Sequence, residues 1–542
     1  MSFVKYNVLL ILCYLVILQN GFAQKNYVSK VWVSDNGDGT YTNPILHSDY
    51  SDPDVIRVGD DYYMTASSFN CTPGLPILHS KDLVNWKLIN HALPKQYPLD
   101  VFEKPQHFKG VWAPCIRYHN GEYFIYYGDP DFGIYMLKTA DPAGEWSKPV
   151  LVKEGKGLID SSPLWDDDGN VYLVHAWAAS RVNVNTLLTV HKLNKEGTKI
   201  IDEGKHVFDG HDAHPTLEGP KFYKRNGYYY IFAPAGGVAT GWQLILRSKN
   251  IYGPYEEKIV LAQGNTDING PHQGGWVETQ TGESWFIHFQ DKEAYGRIVH
   301  LQPVKWVNDW PIMGVDKDGD GTGEPVLKYK KPNVGATYPI VTPLESDEFN
   351  HDELGLQWQW HANPHLVWSA LMPGKDYLRL FSLPRAESFV NHWETPHLLL
   401  QKFPAPNFTV TTKITLETTD TAQTAGLIIM GRSYASLNFT KVNNGFDLAQ
   451  VICNQADKGK PEEIITKTFI QDKNIYLRVQ VAAPDAICTF SYSIDGKKFT
   501  PFGKPFTAAA GGWIGAKVGI FSSKSASSAR GGYADFDWFR IE

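Results

Sequence analysis

The chain has 542 residues, of which 43% are hydrophobic and 13% are aromatic, and it carries a formal net charge of −7. This length predicts two to four domains with well-packed cores. The acidic balance and the lack of a long basic run exclude a nucleic-acid-binding protein, because nothing would neutralise the phosphates.

The first predicted element is an apolar run at residues 8–18, which follows Lys5. The run is shorter than the ~20 residues that a membrane-spanning helix needs. Ala23, in the stretch GFAQ, provides the small residue that a signal peptidase cuts after. Residues 1–23 are therefore predicted to be a signal peptide, and the mature protein to be periplasmic or secreted without a membrane segment. A membrane anchor is the alternative.

Five related stretches follow along the chain. Each has a polar or aromatic opening residue, a short alternating strand, a glycine turn and an aromatic-rich second strand. A period near fifty residues with several strands per unit is typical of propeller blades. Residues 24–340 are therefore predicted to form a five-bladed β-propeller, with an irregular β-sandwich as the alternative. The openers are Asp52, Trp112, Asp160, Glu218 and His272, and the turn glycines are Gly59, Gly121, Gly169, Gly227 and Gly282.

The openers are expected to converge on one funnel, because equivalent ends of the innermost strands line the central channel of a propeller. Three of them are carboxylic acids: Asp52, Asp160 and Glu218. Two carboxyl groups across a cavity suit glycosidic bond cleavage, one protonated to assist the leaving oxygen and one ionised to activate water. A third can raise the pKa of the acid by like-charge proximity.

The stretches YSDPDVIRVGDDYYMTASSF, GVWAP, IDSSPLWDDDGNVYLVHAW, TLEGPKFYKRNGYYYIFAPAGG and HQGGWVE together resemble glycoside hydrolase family 43, over roughly residues 43–340. The resemblance implies a five-bladed β-xylosidase or α-L-arabinofuranosidase that inverts anomeric configuration. Asp52 matches the general base and Glu218 the general acid. Asp160 matches the aspartate that orients the acid and tunes its pKa. Inversion requires the two carboxyl groups to lie roughly 6.5–9.5 Å apart.

The resemblance implies further site residues. Arg297 matches an arginine that contacts the substrate, with a surface ion pair as the alternative. His272 matches a histidine beneath the sugar site, which in relatives sometimes lies beside calcium or a water cluster; a structural histidine is the alternative. Phe69 and Trp112 are expected to wall the pocket, although core packing would also explain them.

Some positions are open at this stage. Asp54 rivals Asp52 as the base, since strand alternation puts both side chains on one face. The run Asp166–Asp168 is expected to be a solvated hairpin turn. Asn70 and Cys71 stand where the xylosidase pattern has an acidic residue and a bulky aromatic, so arabinose and xylose are not separated.

The loop DKDGDGTGEP, which begins at Asp316, imitates a calcium loop. Position 12 is Leu327 and lacks the bidentate glutamate such loops need, so a turn-rich loop is predicted and structural calcium is the alternative. Four cysteines remain after signal cleavage. Export would permit pairing of Cys71 with Cys115 and of Cys453 with Cys488, and buried free thiols are the alternative.

Composition changes near residue 335, and alternating strands follow a linker rich in proline and glycine. Residues 341–542 are predicted to be a β-sandwich that resembles the concanavalin-like domain of family β-xylosidases. In relatives, a loop of that domain closes one side of the active site, and residues 349–361 are the suggested contact region. A free-standing carbohydrate-binding module is the alternative.

The sequence thus predicts an exo-acting hydrolase that removes α-L-arabinofuranosyl or β-D-xylosyl units from hemicellulose fragments (xylan, arabinoxylan or xyloglucan). It implies no redox or nucleotide cofactor, and it leaves the oligomeric state open. The alternative is a non-catalytic carbohydrate-binding propeller. A phosphorolytic enzyme ranks last, because Arg297 is the one evident phosphate-binding candidate.

Overall fold

The computed structural model describes residues 26–372, 374–528 and 531–542. The predicted signal peptide, residues 1–23, lies outside the described residues. Within the described ranges, no helix has the length and apolar character needed to cross a membrane. The fold is a five-bladed β-propeller followed by a β-sandwich, so the predicted fold class is confirmed.

Each blade is a four-stranded antiparallel sheet whose strands are paired in chain order. A short strand, β1 (Thr40–Thr42), precedes the blades. Blade 1 contains β2 (Asp54–Val58), β3 (Asp61–Thr65), β4 (Gly74–Ser80) and β5 (Trp86–Leu93). Blade 2 contains β6 (Trp112–His119), β7 (Glu122–Asp129), β8 (Gly133–Thr139) and β9 (Val150–Glu154). Blade 3 contains β10 (Leu158–Trp165), β11 (Val171–Trp177), the helix α1 (Ala179–Val182), β12 (Leu187–Leu193) and β13 (Lys205–Asp209).

Blade 4 contains β14 (Lys221–Arg225), β15 (Tyr228–Ala235), β16 (Trp242–Ser248) and β17 (Glu256–Ala262). Blade 5 contains β18 (His272–Glu278), β19 (Ser284–Asp291), β20 (Arg297–Val307) and β21 (Trp310–Met313). After blade 5, β22 (Lys328–Lys330) pairs with β1 and ties the two ends of the propeller together.

The first strand of each blade is the innermost. Around the channel, β2 contacts β6 and β18, β10 contacts β6 and β14, and β18 contacts β15 and β16 of blade 4. The five predicted turn glycines all lie between the first and second strands of their blades. Each has a positive φ, the backbone conformation that such tight hairpin turns demand and that glycine adopts without steric cost. The repeat in the sequence is therefore the inner hairpin of each blade.

The second domain packs two eight-stranded sheets face to face. Their inner faces form one core that includes Val410, Leu427, Leu477, Val518 and Phe536. The first sheet contains β23 (Gln359–Trp360), β26 (Leu383–Pro384), β27 (Leu399–Lys402), β29 (Thr424–Met430), β30 (Tyr434–Val442), β31 (Gly445–Cys453), β32 (Glu463–Ile470) and β37 (Lys517–Lys524). The second contains β24 (Ser369–Leu371), β25 (Leu378–Phe381), β28 (Phe408–Glu417), β33 (Asn474–Ala482), β34 (Ile487–Ser493), β35 (Thr500–Pro501), β36 (Phe506–Thr507) and β38 (Tyr533–Ile541).

The sandwich is joined to blade 1 by backbone hydrogen bonds. Thr72 and Trp360 exchange two of them, with N–O distances of 3.0 and 2.6 Å. The side-chain amide of Asn70 also donates to the carbonyl of His361 at 2.9 Å. Residues 349–361 therefore do contact the propeller, and they do so directly behind the segment that carries Phe69.

The structure decides one open question and corrects one expectation. Of the two alternatives for the cysteines, the buried free thiols are the one observed, because Cys71, Cys115, Cys453 and Cys488 are all free and buried. Asp166 is not a solvated turn residue. Its carboxylate is 2% exposed and accepts hydrogen bonds from Lys224 Nζ and from the Tyr229 hydroxyl, because the turn of blade 3 packs against blade 4.

Candidate active site

An open pocket lies at the end of the propeller where the inner strands begin. It brings together six of the predicted site residues, although they are spread over more than two hundred positions of the chain. The lining residues are Asp52, Phe69, Trp112, Ala113, Ile159, Asp160, Thr216, Glu218, Gly237, Val238, Gln273, Arg297 and Trp513.

The inner strands carry local irregularities where they reach the pocket. In blades 2, 3 and 5 the register of the inner hairpin shifts at this end, and in blade 3 the shift leaves Asp160 without a partner on β11. Asp52 and Asp160 have φ of 53° and 58°. Bulges and left-handed residues redirect side chains away from the sheet faces, and here they point carboxylates into the funnel.

Asp52 is 3% exposed and surrounded by donors. Its Oδ2 accepts from the hydroxyls of Ser51 at 2.8 Å and Ser67 at 2.6 Å. Arg297 Nη1 lies 3.3 Å from Oδ1 and donates to Ser51 Oγ at 2.8 Å. All of these partners donate, as an ionised carboxylate requires, since it can only accept hydrogen bonds. Arg297 is therefore not a surface ion-pair residue, because it is buried against Asp52.

Asp54, two residues further on, lies in a different environment. Its Oδ2 accepts from Arg117 Nη1 at 2.7 Å and from the backbone N–H of Ile116 at 2.9 Å. Asp54 is fully buried and does not line the pocket. The two rivals are thus separated by position, since only Asp52 faces the space that a substrate would occupy.

Asp160 and Glu218 lie next to each other on blades 3 and 4. Burial and the charge of Glu218 raise the pKa of Asp160 to about 8. Because such repulsion is mutual, the pair holds a proton at neutral pH more readily than two isolated carboxyl groups would. Asp160 Oδ2 accepts the backbone N–H of Gly219 at 2.7 Å. Gly219 has φ of 59°, and a Cβ there would lie 2.6 Å from the Cγ of Gln273.

His272 lies behind Glu218 and does not line the pocket. Its Nε2 is 2.9 Å from Glu218 Oε1, and the ring is fully buried with its edge towards Phe289. The Glu218 side chain is 33% exposed, so one oxygen is fixed by the histidine while the carboxyl group remains accessible from the pocket.

Aromatic rings form one wall of the pocket. Trp112 has edge contacts with Phe69 and with Trp513, each with ring centroids 6.4 Å apart. Trp513 belongs to the loop before β37 of the sandwich, has φ of 63°, and is 47% exposed. The guanidinium of Arg297 lies 5.8 Å from the Trp513 ring. The second domain therefore supplies part of the pocket wall.

Sequence reasoning missed seven residues of the pocket lining, namely Ala113, Ile159, Thr216, Gly237, Val238, Gln273 and Trp513. Trp513, Thr216 and Val238 lie on loops outside the repeated hairpins, so no periodic signal marked them. Gln273 directly follows the fifth opener, His272. Its backbone has a positive φ of 34°, and the repeat pattern gave no sign of this conformation. The suggested contact region at residues 349–361 binds the propeller but does not line the pocket.

The loop after β21 places the carboxylates of Asp316, Asp318 and Asp320 within 4.8 Å of one another. The same carboxylates accept backbone N–H groups of their own loop, including that of Gly319 at 2.7 Å, as a tight turn does. None of these three residues lines the pocket. The loop has the predicted turn-rich character, and structural calcium there stays the alternative.

The fold and the pocket together define a carbohydrate-cleaving class of protein, with several carboxyl groups and an aromatic wall at the mouth of a propeller. Residues 41–311 match Glycosyl hydrolases family 43, and residues 346–542 match the Beta xylosidase C-terminal Concanavalin A-like domain. The chain belongs to glycoside hydrolase family 43 and is an O-glycosyl hydrolase.

Individual relatives cover nearly all of the chain. A putative β-xylosidase of Xylanibacter ruminicola is 38% identical over 91% of this chain and 88% of its own length. The non-reducing end α-L-arabinofuranosidase BoGH43B of Bacteroides ovatus is 30% identical over 92% and 94%. The crystal structure of the GH43 BlXynB protein from Bacillus licheniformis superimposes with a TM-score of 0.79 at 29% identity, covering 93% of this chain and 99% of that one.

Proposed function

We propose that this enzyme removes single terminal β-D-xylosyl or α-L-arabinofuranosyl units from hemicellulose fragments, with inversion at the anomeric carbon. The observation that carries the proposal is that Asp52, Asp160 and Glu218 line one pocket. A pocket walled by Trp513 from the second domain suits a chain end better than the middle of a polysaccharide. Relatives that carry β-xylosidase and α-L-arabinofuranosidase names support both pentoses.

Glu218 acts as the general acid in this proposal. It is the more accessible member of the Asp160–Glu218 pair, and the N–H of Gly219 is directed at Asp160 rather than at Glu218. Asp160 is therefore held by the backbone, whereas Glu218 is the carboxyl group of the pair that a leaving oxygen in the pocket can reach. In the proposed reaction Glu218, in its protonated form, donates its proton to the glycosidic oxygen as the bond breaks.

Asp52 acts as the general base. Its Oδ2 is occupied by two serine hydroxyls, so Oδ1 is the oxygen left to accept a proton from water. Arg297 lies beside Oδ1 and is held by stacking over Phe289, with 4.8 Å between the guanidinium carbon and the ring centroid. The activated water would attack the face of the sugar opposite the leaving oxygen, which gives inversion in one step.

The two carboxyl groups supply all of the proton transfers, so hydrolysis requires no redox or nucleotide cofactor. A structural calcium ion is part of the proposal only as an option, either near His272 or in the loop at Asp316. The predicted signal peptide places the enzyme in the periplasm or outside the cell, where polysaccharide fragments would reach it.

The experiment uses xylo-oligosaccharides reduced at one end, and arabinose-substituted xylo-oligosaccharides in parallel. The proposal predicts release of free pentose from the unreduced end, with products that shorten by one unit at a time. Release of oligosaccharides from the middle of the chain would contradict the exo mode. Binding of the fragments without cleavage would favour the carbohydrate-binding alternative.

A further inference from the structure

Asp49 connects the two domains at the edge of the pocket. The carboxylate is 4% exposed and accepts two backbone N–H groups. Oδ1 accepts from Arg297 N at 2.9 Å, and Oδ2 accepts from Gly515 N at 2.9 Å. The first donor belongs to the propeller and the second to the sandwich, so one side chain holds a segment of each.

Both of the segments that Asp49 holds carry pocket residues. Arg297 is the residue beside Asp52, and Gly515 lies two positions after Trp513. A second interdomain bond supports the same junction, from Ala516 N to the carbonyl of Ala294 at 2.7 Å. The distance between the catalytic carboxylate and the aromatic wall is therefore set through Asp49.

The junction is packed too closely for side chains. A Cβ on Gly515 would lie 2.7 Å from the backbone nitrogen of Gly296, and a Cβ on Gly296 would lie 2.5 Å from Asp49 Cγ. Approaches this short show that the Trp513 loop and the Arg297 segment pack backbone against backbone at this junction. On the other side, Lys402 of β27 donates to the carbonyl of Asp49 and lies over the Tyr50 ring at 4.1 Å.

We propose that Asp49 is a positioning residue that locks the Trp513 loop of the sandwich to the Arg297 segment of the propeller. The inference rests on the proposed function, because it assigns Asp52 and Trp513 to the same reaction. In this role Asp49 touches no substrate. It fixes where the aromatic wall stands relative to the base, and so it determines how a sugar is seated over Asp52.

The substitution Asp49→Asn keeps the size of the side chain but directs an amide N–H₂ at one of the two N–H donors. We expect kcat/KM for 4-nitrophenyl pentosides to fall about tenfold, because small displacements of a bound substrate have large kinetic costs. The loss should fall mainly on KM, since Trp513 acts by contact with the sugar and no proton-transferring group has been removed.

A double-mutant cycle with Trp513→Ala separates positioning from general structural damage. If Asp49 acts through Trp513, then Asp49→Asn in the Trp513→Ala background should cost less than about threefold in kcat/KM. Equal losses in both backgrounds would overturn the inference. The matched control is Asp347→Asn, because Asp347 accepts the N–H groups of Phe349 and Gly355 away from the pocket, and it should leave KM unchanged.

Failure of the inference can be told apart from failure of the proposed function. If wild-type protein hydrolyses neither pentoside, the proposed function fails, and the same cycle is then measured on binding of these pentosides by the change in tryptophan fluorescence. Coupling between Asp49 and Trp513 in binding would still support positioning. Additive losses in binding would overturn it.

Discussion

The two domains contribute different things to the pocket. The propeller supplies the charged groups Asp52, Asp160, Glu218 and Arg297, whereas the sandwich supplies one aromatic side chain, Trp513. The charged groups lie at the ends of repeated strands and are held by short hydrogen bonds. Trp513 lies on a loop outside the repeat. Its position is fixed indirectly, because Gly515 of the same loop donates its backbone N–H to Asp49 of the propeller. The difference indicates that the propeller carries the catalytic groups and that the sandwich forms part of the sugar-binding site.

The largest expected effect tests whether the propeller supplies the general base. Asp52→Asn should lower kcat by about a thousandfold, because a general base contributes roughly 10²–10⁴ in rate, while pentose binding stays measurable. Asp54→Asn is the control, two residues away. It breaks a buried pair with Arg117, and losing one partner of such a pair costs about 3–5 kcal/mol of stability. Activity per folded molecule should survive in that variant, and the melting temperature should fall.

Glu218→Gln should give the next largest effect, and one that depends on the leaving group. On xylobiose the loss should be about a hundredfold, since the acid must protonate a poor leaving oxygen. On 4-nitrophenyl pentosides the loss should be smaller than about tenfold, because nitrophenolate leaves without a proton. Steady-state kinetics on both substrates checks this. An equal loss on the two would remove Glu218 from the role of acid.

Trp513→Ala tests whether the sandwich contributes to sugar binding. We expect kcat/KM to fall about tenfold through KM, which corresponds to about 1.4 kcal/mol of lost contact with the sugar. Trp513→Phe should recover most of the affinity. Trp538→Ala, at a half-buried position of β38 in the same domain that does not line the pocket, should leave both constants unchanged. A fall in kcat without a change in KM would show that the sandwich takes part in the chemistry itself.

The smallest expected effect concerns pH. Burial and the charge of Glu218 raise the pKa of Asp160 to about 8, so the proton of the pair is retained to higher pH than an isolated carboxyl group would retain it. Asp160→Asn removes one of the two carboxyl groups of this pair, and the alkaline limb of the kcat/KM profile should then move to lower pH. An alkaline limb that does not move would show that Asp160 does not tune the pKa of the general acid.

The same pKa shift has a consequence for stability. The folded state binds the Asp160 proton more tightly than the unfolded chain, so its contribution to stability is present below pH 3.8 and is lost as pH rises to about 8. Denaturant unfolding across this range should show a smaller decline in stability for Asp160→Asn than for wild type. If the free energy of unfolding falls equally with pH in the two proteins, the raised pKa of Asp160 would be contradicted.

The sequence predicted the propeller well because each blade repeats one hairpin, with its glycine turn 7 to 10 residues after the opener. It also predicted which carboxyl groups converge, since equivalent positions in a closed ring face one funnel. Strand alternation alone did not separate Asp52 from Asp54, because it puts both on one face, and the choice of Asp52 came from the family resemblance. The left-handed backbone of Asp52, which directs it to the pocket, has no sequence signal.

The rest of the site depends on contacts between distant segments. Asp166 reads as one of three turn aspartates, and only the packing of blade 3 against blade 4 buries it with Lys224. Trp513 is one tryptophan among 17 and follows a loop of small residues. Its place in the pocket is set by the docking of two domains, which no local pattern encodes.

The most direct test of the account is the configuration of the first sugar released. Purified enzyme acting on 4-nitrophenyl β-D-xylopyranoside and 4-nitrophenyl α-L-arabinofuranoside can be followed by proton NMR before mutarotation. The account predicts that the β-xyloside releases α-xylose first, or that the α-arabinofuranoside releases β-arabinose first. Initial release of the retained anomer would contradict it, because Asp52 would then attack the sugar itself instead of activating water.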